Sequence, residues 1–196
     1  MADVSQRFNH EVYNIAVSLI RKFDERVSSI PDILKLTLGE PDFNTPEHVK
    51  KSGVQAIEQN FSHYSGMAGL ADVRQAASLF LKNKYQLDYD FQSEVLVTIG
   101  ATEAISASLL ATLEPGDKVL LPAPIYPGYE PVIHLAHAQP IYLDMTDNDF
   151  VLAPEVVEAA LKEHGEQVKA VILNYPSNPT GVVYTREQVK ALAEVL

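Results

Sequence analysis

The second half of the chain alternates short apolar runs with segments whose apolar residues recur at helical spacing. Four apolar runs predict β-strands, at residues 94–100, 118–124, 139–145 and 169–176. Between them, three segments predict helices, at 102–113, within 126–138 and at 153–165, the last ending in Gly165. Strands that alternate with helices along the chain predict an α/β fold with a doubly wound, mainly parallel sheet.

The first half of the chain carries mainly helical patterns. One amphipathic helix is predicted over 5–28, and a second begins with Thr45 as its cap and Pro46 in its first position. A third covers 71–85. Between the first two, residues 33–43 run from an apolar stretch into a Gly-Glu-Pro-Asp turn.

The last predicted helix, 185–196, opens with a capping box formed by Thr185 and Gln188. Its apolar face, with Val189 and Leu192, continues to Leu196 without a stop signal. We therefore expect the chain to be a piece of a longer protein, and a domain that ends naturally at this point is the alternative.

Composition narrows the possible classes of protein. The 196 residues are 46% hydrophobic and 21% charged, as in a globular chain. A formal net charge of −11 disfavours nucleic acid and anionic membranes as partners. The absence of cysteine excludes disulfides and thiolate metal sites, and no apolar run approaches the ~18 residues that span a bilayer. The N-terminus lacks the apolar region of a signal peptide, so we expect a soluble, cytoplasmic protein.

Metal binding is not expected. His134 and His137 lie three residues apart on a predicted helix, but the sequence offers no third ligand near them.

Ligands of open α/β sheets bind at the carboxyl ends of strands, and three of the predicted ends are distinctive. In TIGATEA, Gly100 ends a strand and Thr102 opens a helix. The backbone N–H groups and the dipole at a helix N-terminus favour an anion there, and the Thr102 hydroxyl is a further donor. A plain turn from strand to helix, capped by Thr102, explains the same residues.

The other two strand ends are rich in proline. In PAPIYPGY the prolines restrict the loop that carries Tyr126, whose ring can stack on a planar ligand, although packing alone is the alternative. In NYPSNPTG, Pro176 and Pro179 flank Asn178, whose amide both donates and accepts hydrogen bonds. A turn explains the Asn-Pro pair, but it requires neither the second proline nor the closing Thr-Gly.

Together these motifs resemble the class I/II aminotransferases of the fold-type-I pyridoxal-phosphate (PLP) family. Two further stretches, LTLGEPDFNTP and HYSGMAGLADVRQA, add to the resemblance, and all five stand in family order over nearly the whole chain. The second of these stretches has Val73 where a leucine is usual. The resemblance implies a truncated PLP-dependent transferase-like large domain at 46–196, with residues 1–45 belonging to the small domain.

The resemblance also implies roles for individual residues. Ala101 and Thr102 are expected to bind the phosphate of pyridoxal 5'-phosphate, and Tyr126 to stack on its pyridine ring. Asn178 is expected to hydrogen-bond the ring hydroxyl oxygen and, with the backbone of Gly39, to contact the substrate. Tyr64 is expected to reach across a homodimer interface to the partner's cofactor phosphate.

Three groups that the family's chemistry needs have no match here. They are an aspartate paired with the pyridine nitrogen, the Schiff-base lysine and an arginine that binds the substrate carboxylate. In the family all three follow the position of Leu196, and no lysine of this chain stands in the family's Ser-x-x-Lys or Ser-Lys context. We therefore interpret the chain as the N-terminal half of an aminotransferase for amino acid and 2-oxo acid substrates, inactive alone and without catalytic residues of its own.

Three alternatives remain open. A β-eliminating lyase of the same fold shares this half of the site, and the sequence does not separate the two. A non-catalytic dimerisation or ligand-binding module is the alternative from another class, which a natural stop codon after Leu196 would favour. A nucleotide-binding Rossmann domain is disfavoured because no G-x-G-x-x-G follows a predicted strand.

The resemblance finally predicts a gap in the sheet. In the family, strands of the C-terminal half separate the first strand, here 94–99, from the other three. We expect strands 118–121, 139–143 and 170–173 to pair as a group, which leaves 94–99 without its neighbour. Because an unpaired strand loses a ladder of backbone hydrogen bonds, it must pair with another strand of this chain, pair with another chain or lead to aggregation, and we expect pairing with another chain.

Overall fold

The computed structural model describes residues 7–15, 19–39 and 41–196 of the chain. Contacts divide the chain into two compact units. One consists of residues 102–196 with the described part of 1–18, and the other of the described part of 19–101. None of the helices in the described ranges is both long enough and apolar enough to cross a bilayer. The predicted domain boundary between residues 45 and 46 concerns the whole protein and stays a prediction.

The described ranges contain α-helices and β-strands that alternate from the fifth helix onward, which confirms the α/β class. The helices are α1 (Glu11–Asn14), α2 (Leu19–Val27), α3 (Glu47–Glu58), α4 (Ala71–Tyr85), α5 (Gly100–Thr112), α6 (Glu130–Leu135), α7 (Pro154–His164) and α8 (Arg186–Val195). The strands are β1 (Lys118–Ala123), β2 (Gln139–Asp144) and β3 (Val168–Val171). Single-turn 3₁₀ helices at Thr146–Asn148 and Gly165–Gln167 flank α7.

The three strands form one parallel sheet in the order β2-β1-β3, which confirms that they pair as a group. Leu120 in the middle of β1 stands opposite Ile141 of β2 and Val171 of β3. The pairing with β3 shifts between Lys118 and Val119. Because β1 has a neighbour on both sides, it is the most deeply buried strand, and Leu120 is fully buried.

Helices cover both faces of the sheet, as in a doubly wound fold. Along β1, Val119 and Leu121 point into one apolar cluster and Leu120 into the other, as strand alternation requires. The first cluster contains Leu109 of α5 and residues of α6, and the second contains residues of α7 and α8. The core of this unit therefore lies in two layers, one on each face of β1.

Several helix predictions hold to the residue. Helix α4 has the predicted bounds, 71–85, and α7 ends directly before Gly165. At α8, the Thr185 hydroxyl accepts from the backbone N–H of Gln188, and the Gln188 side chain accepts from the backbone N–H of Thr185 at 2.7 Å. This reciprocal pair is the predicted capping box.

Two helix predictions in the first half of the chain are wrong. The continuous helix over 5–28 is replaced by α1 and α2, because Ile15 has an extended backbone with ψ of 111° and ends α1. Phe8, Val12, Leu19 and Ile20, apolar residues of the predicted helix, are exposed, so their side chains supply little burial to sustain a long helix. Helix α3 has Pro46 as its N-cap, which leaves Thr45 outside the cap position.

The predicted strand at 94–100 is also wrong, since these residues form no strand in the described structure. Val97 donates from its backbone N–H to the carbonyl of Ala68 at 3.0 Å, but no ladder follows. Leu96 and Ile99 remain exposed. An apolar run becomes a strand only where a neighbour offers its own backbone groups. Its pairing with another chain stays a prediction.

The unit of residues 19–101 buries little apolar surface, and Val27, at 6% exposed, is the one buried residue among those described there. Polar side chains hold loops onto α4 instead. Arg74 donates from Nη1 to the carbonyl of Phe91 at 2.8 Å, and Ser78 donates to the carbonyl of Tyr89 at 2.6 Å. The predicted Gly-Glu-Pro-Asp turn includes Glu40, which lies outside the described residues.

Candidate functional site

The loops that follow β1 and β3 emerge at the same edge of the sheet, because these strands are parallel neighbours. The first loop carries Tyr126 and the second carries Asn178. Ile125 of the first loop and Asn174 and Ser177 of the second line one cavity of about 10 Å³, so the two loops adjoin. That volume holds about one water molecule and no larger ligand.

Helix α5 brings its N-terminal end toward this edge. A tight turn joins α5 to β1: Glu114 donates from its backbone to Asp117 Oδ2 at 2.8 Å, and Asp117 N–H donates to the Glu114 carbonyl at 3.0 Å. Since α5 packs against β1 and runs in the opposite direction, Thr102 lies toward the end at which β1 stops. The positive end of the helix dipole faces the same way.

The helix begins two residues earlier than the sequence predicted, at Gly100. Gly100 has φ of +79°, a conformation that glycine adopts without steric cost. Thr102 therefore lies within the first turn and is not the residue that caps α5. Its side chain is exposed, and Ala101 before it is exposed as well.

The ring of Tyr126 is partly packed and partly open to solvent. It meets the ring of Tyr129 edge to face, with centroids 5.5 Å apart and planes at 88°. Tyr129 belongs to the apolar cluster beneath, where burial, and then the charge of Tyr126, raise the pKa of its hydroxyl. Tyr126 itself is 40% exposed, so packing accounts for only part of its surface.

Asn178 is held through its backbone, which leaves its side chain exposed. Its N–H donates to Asn174 Oδ1 at 3.1 Å. On either side, Ser177 N–H donates to the Val182 carbonyl at 2.9 Å, and Gly181 N–H donates to the Ser177 carbonyl at 2.7 Å. The bonds preceding Pro176 and Pro179 are both cis. The loop thus presents the Asn178 carboxamide from a backbone that is itself hydrogen-bonded.

Tyr184 anchors this loop to the core below it. Its hydroxyl accepts from the backbone N–H of Leu152 at 3.3 Å and donates to Met145 Sδ at 3.8 Å. Its ring meets that of Tyr175 edge to face at 5.2 Å. Because Tyr175 directly follows Asn174, this contact ties the start of the loop to the second apolar cluster.

The structure therefore brings Thr102, Tyr126 and Asn178 to one edge of one unit. Gly39 and Tyr64, the other predicted site residues, belong to the second unit and are described within it. Tyr64 is fully exposed, and a Cβ atom built on Gly39 would meet nothing within 4 Å. These two residues are open to contact, and their roles stay predictions.

The described residues contain no group of three potential metal ligands. Each of the two histidines considered from the sequence instead faces a carboxylate. His134 Nε2 lies 3.4 Å from Glu130 Oε1, and His137 Nδ1 lies 3.6 Å from Glu11 Oε1.

Sequence reasoning missed two residues at this edge, Asn174 and Gly128. Asn174 accepts the hydrogen bond that fixes the backbone of Asn178, and the signal was an asparagine four residues earlier in the same motif. Gly128 lies directly beneath the ring of Tyr126, and the only signal was a glycine two residues after an aromatic residue.

The family model described as aminotransferase class I and II matches residues 31–196. A probable N-acetyl-LL-diaminopimelate aminotransferase of Bacillus subtilis is 44% identical over 188 residues, covering 96% of this chain and 47% of that protein. A probable aspartate aminotransferase of Methanocaldococcus jannaschii is 36% identical, covering 93% of this chain and 47% of that protein. The chain thus spans about half the length of the curated relatives it matches.

Solved structures give the same picture. Aspartate aminotransferase from Thermus thermophilus with maleate superposes with a TM-score of 0.89 at 30% identity, covering 96% of this chain and 50% of that one. N-Succinyldiaminopimelate aminotransferase from Mycobacterium tuberculosis gives 0.88 at 31% identity, covering 96% and 48%. The predicted fold, a truncated large domain of this kind, is confirmed.

Proposed function

The chain belongs to the class I and II aminotransferase family, and we propose that its whole protein transfers an amino group from an amino acid to a 2-oxo acid. Members of this family use pyridoxal 5'-phosphate. We propose that the protein acts as a cytoplasmic homodimer in amino acid metabolism. The alternatives are a β-eliminating lyase and a non-catalytic module, and no contact in the described residues favours either of them.

The observation that carries this proposal is that Tyr126 and Asn178 stand on loops at one edge of the sheet, with Thr102 in the first turn of the helix that leads into β1. The exposed first turn of α5 suits a phosphate, because a helix N-terminus attracts anions and Thr102 adds a hydroxyl donor. The half-exposed ring of Tyr126 suits a planar ring, and the exposed Asn178 carboxamide suits a hydroxyl oxygen. These residues therefore fit PLP. When bound, the cofactor supplies an electron sink and carries the amino group.

Each predicted site residue then has a defined role. The N–H groups of the α5 turn, with Ala101 and Thr102, hold the phosphate, and Tyr126 fixes the plane of the cofactor ring. Asn178 donates to the ring hydroxyl oxygen and lies near the substrate, to which the Gly39 backbone also binds. Tyr64, which is fully exposed in this chain, contacts the partner's phosphate in the homodimer.

The chain contributes binding and orientation, and we propose that the proton-transferring lysine belongs to the part of the protein outside it. None of the chain's lysines lies in the motifs that form the site. The charged partners of several are surface carboxylates, such as Glu47 for Lys50 and Asp88 for Lys82. This chain alone is therefore expected to be inactive.

The test uses the whole protein and this chain side by side. With PLP bound, addition of an amino acid should change the cofactor's absorbance, and addition of a 2-oxo acid should restore it. The 196-residue chain should give no such cycle. Acylated diaminopimelates and aspartate are the first donors to try, since relatives are named for them.

The outcomes separate the alternatives. Release of ammonia with pyruvate or another 2-oxo acid, without amino transfer, would identify a lyase. A reading frame that stops after Leu196 would favour a non-catalytic module. A specific lysine adduct on this chain after borohydride reduction would refute the proposal that the reactive lysine lies elsewhere.

A further inference from the structure

The ring of Tyr126 lies directly over the backbone of Gly128. A Cβ atom built on Gly128 would stand 2.2 Å from Tyr126 Cε1, 2.6 Å from Cζ and 2.8 Å from Oη. Real Cβ atoms essentially never approach another heavy atom within 3.0 Å. With the ring in this position, glycine is therefore the one residue type that fits.

The backbone itself does not require glycine at this position. Gly128 is not among the glycines with positive φ, so its conformation is open to other residue types. The three atoms nearest to the missing Cβ all belong to the ring of Tyr126. The absence of a side chain thus serves the close approach of this ring.

Tyr129 holds the ring from a second direction. The two rings meet at 88° and Tyr129 is fixed in the core, with 8% of its surface exposed. Tyr126 therefore rests on Gly128 and against Tyr129, and 40% of its surface still faces outward. A ring that is supported over part of its surface and open over the rest is suited to contact with a planar ligand.

We infer that Gly128 is a positioning residue, which sets the ring orientation of Tyr126 for the planar ring of the cofactor. The role of Gly128 in cofactor binding rests on the proposed function, whereas the contact between Gly128 and the Tyr126 ring does not. A methyl group at position 128 must displace the ring, because the ring is the mobile partner of the clash. The fold is retained, since the displaced atoms are the far end of a half-exposed side chain.

Four variants of this chain test the geometry: Gly128→Ala, Tyr126→Leu, their combination, and Gly53→Ala as a control. Gly53 lies in α3, has no positive φ, and a Cβ built on it would meet nothing within 4 Å. With carbon-labelled tyrosine rings, Gly128→Ala should shift the NMR signals of Tyr126 and Tyr129. In the Tyr126→Leu background, Gly128→Ala should leave the NMR signal of Tyr129 unchanged. The control, Gly53→Ala, should shift the signals of neither Tyr126 nor Tyr129.

Unchanged ring signals in Gly128→Ala would overturn the inference. If Gly128→Ala prevents folding while the combination folds, the clash with Tyr126 is supported. If both fail to fold, Gly128 serves the backbone and the inference is wrong.

The proposed role of Gly128 in cofactor binding is tested by measuring PLP affinity in the whole protein. Gly128→Ala should weaken PLP binding about twofold to tenfold, the range that one aromatic contact supplies, and should have no further effect in the Tyr126→Leu background. If Gly128→Ala shifts the tyrosine NMR signals but leaves PLP affinity unchanged, the positioning role is overturned. Amino transfer by that same variant would leave the proposed function standing, so the two failures are distinguishable.

Discussion

Replacing Asn174 by alanine isolates the hydrogen bond that holds the backbone of Asn178. The bond joins Asn178 N–H to Asn174 Oδ1 at 3.1 Å. A neutral hydrogen bond contributes about 0.5–1.5 kcal/mol, and this one belongs in the lower half because water can reach the exposed N–H. The loss of about 0.5–1 kcal/mol corresponds to a factor of about two to five in the ratio of ordered to disordered loop.

That population change is what PLP binding should report. If only the ordered loop presents the Asn178 carboxamide, the apparent dissociation constant rises by up to the same factor of about two to five, which is reached when the unbound loop is mostly disordered. The assay is a spectral titration of the whole apoprotein with PLP, for the parent and for Asn174→Ala. Asn174→Asp keeps an oxygen acceptor in the same place and should retain most of the affinity.

Asn148→Ala is the matched control. Asn148 Nδ2 donates to the Val151 carbonyl at 2.9 Å, so the control also removes one exposed bond between an asparagine side chain and the backbone. It should cost similar stability in urea unfolding without changing PLP affinity. The reasoning is refuted if Asn174→Ala binds PLP as the parent does, or if Asn174→Asp is as weak as Asn174→Ala.

Three further predictions follow from other parts of the molecule. Leu120→Ala removes a fully buried side chain from the central strand and should lower the free energy of unfolding in urea by about 3–5 kcal/mol, and a loss below about 1 kcal/mol would contradict the two-layer core. Tyr142 is 50% exposed, but partial desolvation of its hydroxyl, and then a hydrogen bond to Glu130, raise its pKa to about 12, so stability present below pH 10 should fall as the pH rises through about 12. Tyr142→Phe should lessen that alkaline loss, and identical alkaline unfolding of parent and variant would argue against it. In the whole protein, Tyr64→Phe should weaken PLP binding by one hydrogen bond to a charged acceptor, about 1.5–3 kcal/mol, and unchanged affinity would remove Tyr64 from the site.

The sequence predicted the elements that the chain stabilises with its own residues. The capping box of α8 has a purely local signal in the Thr185–Gln188 spacing, and the three paired strands have apolar runs and find their neighbours within this chain. Segment 94–100 has the same apolar signal as β1 but no ladder, because a strand also needs a neighbour. The long N-terminal helix failed for the related reason that Phe8, Val12, Leu19 and Ile20 of its apolar face stay exposed.

Among the proposed site residues, those that stand in a sequence motif were predicted, and those whose roles depend on geometry alone were not. Tyr126 and Asn178 were predicted to belong to the site because each stands in a rigid, proline-rich motif after a strand, and their roles stay predictions. Their supports, Gly128 and Asn174, were not predicted because their roles depend on a ring orientation and on one 3.1 Å hydrogen bond. A glycine after an aromatic residue is common in turns, so its meaning appears only when a Cβ is built on it.

The edge that carries Tyr126 and Asn178 derives its order from the residues beneath it. Leu120 and Leu121 of β1 are fixed in two apolar clusters, and the loops that follow β1 and β3 are held to those clusters through Tyr129 and Tyr184. All of these contacts lie within one compact unit. We therefore propose that this unit orients the cofactor ring, whereas proton transfer requires a basic group that its motifs lack. Since the two tasks depend on different residues, we expect PLP binding to this chain to be measurable in the absence of amino transfer.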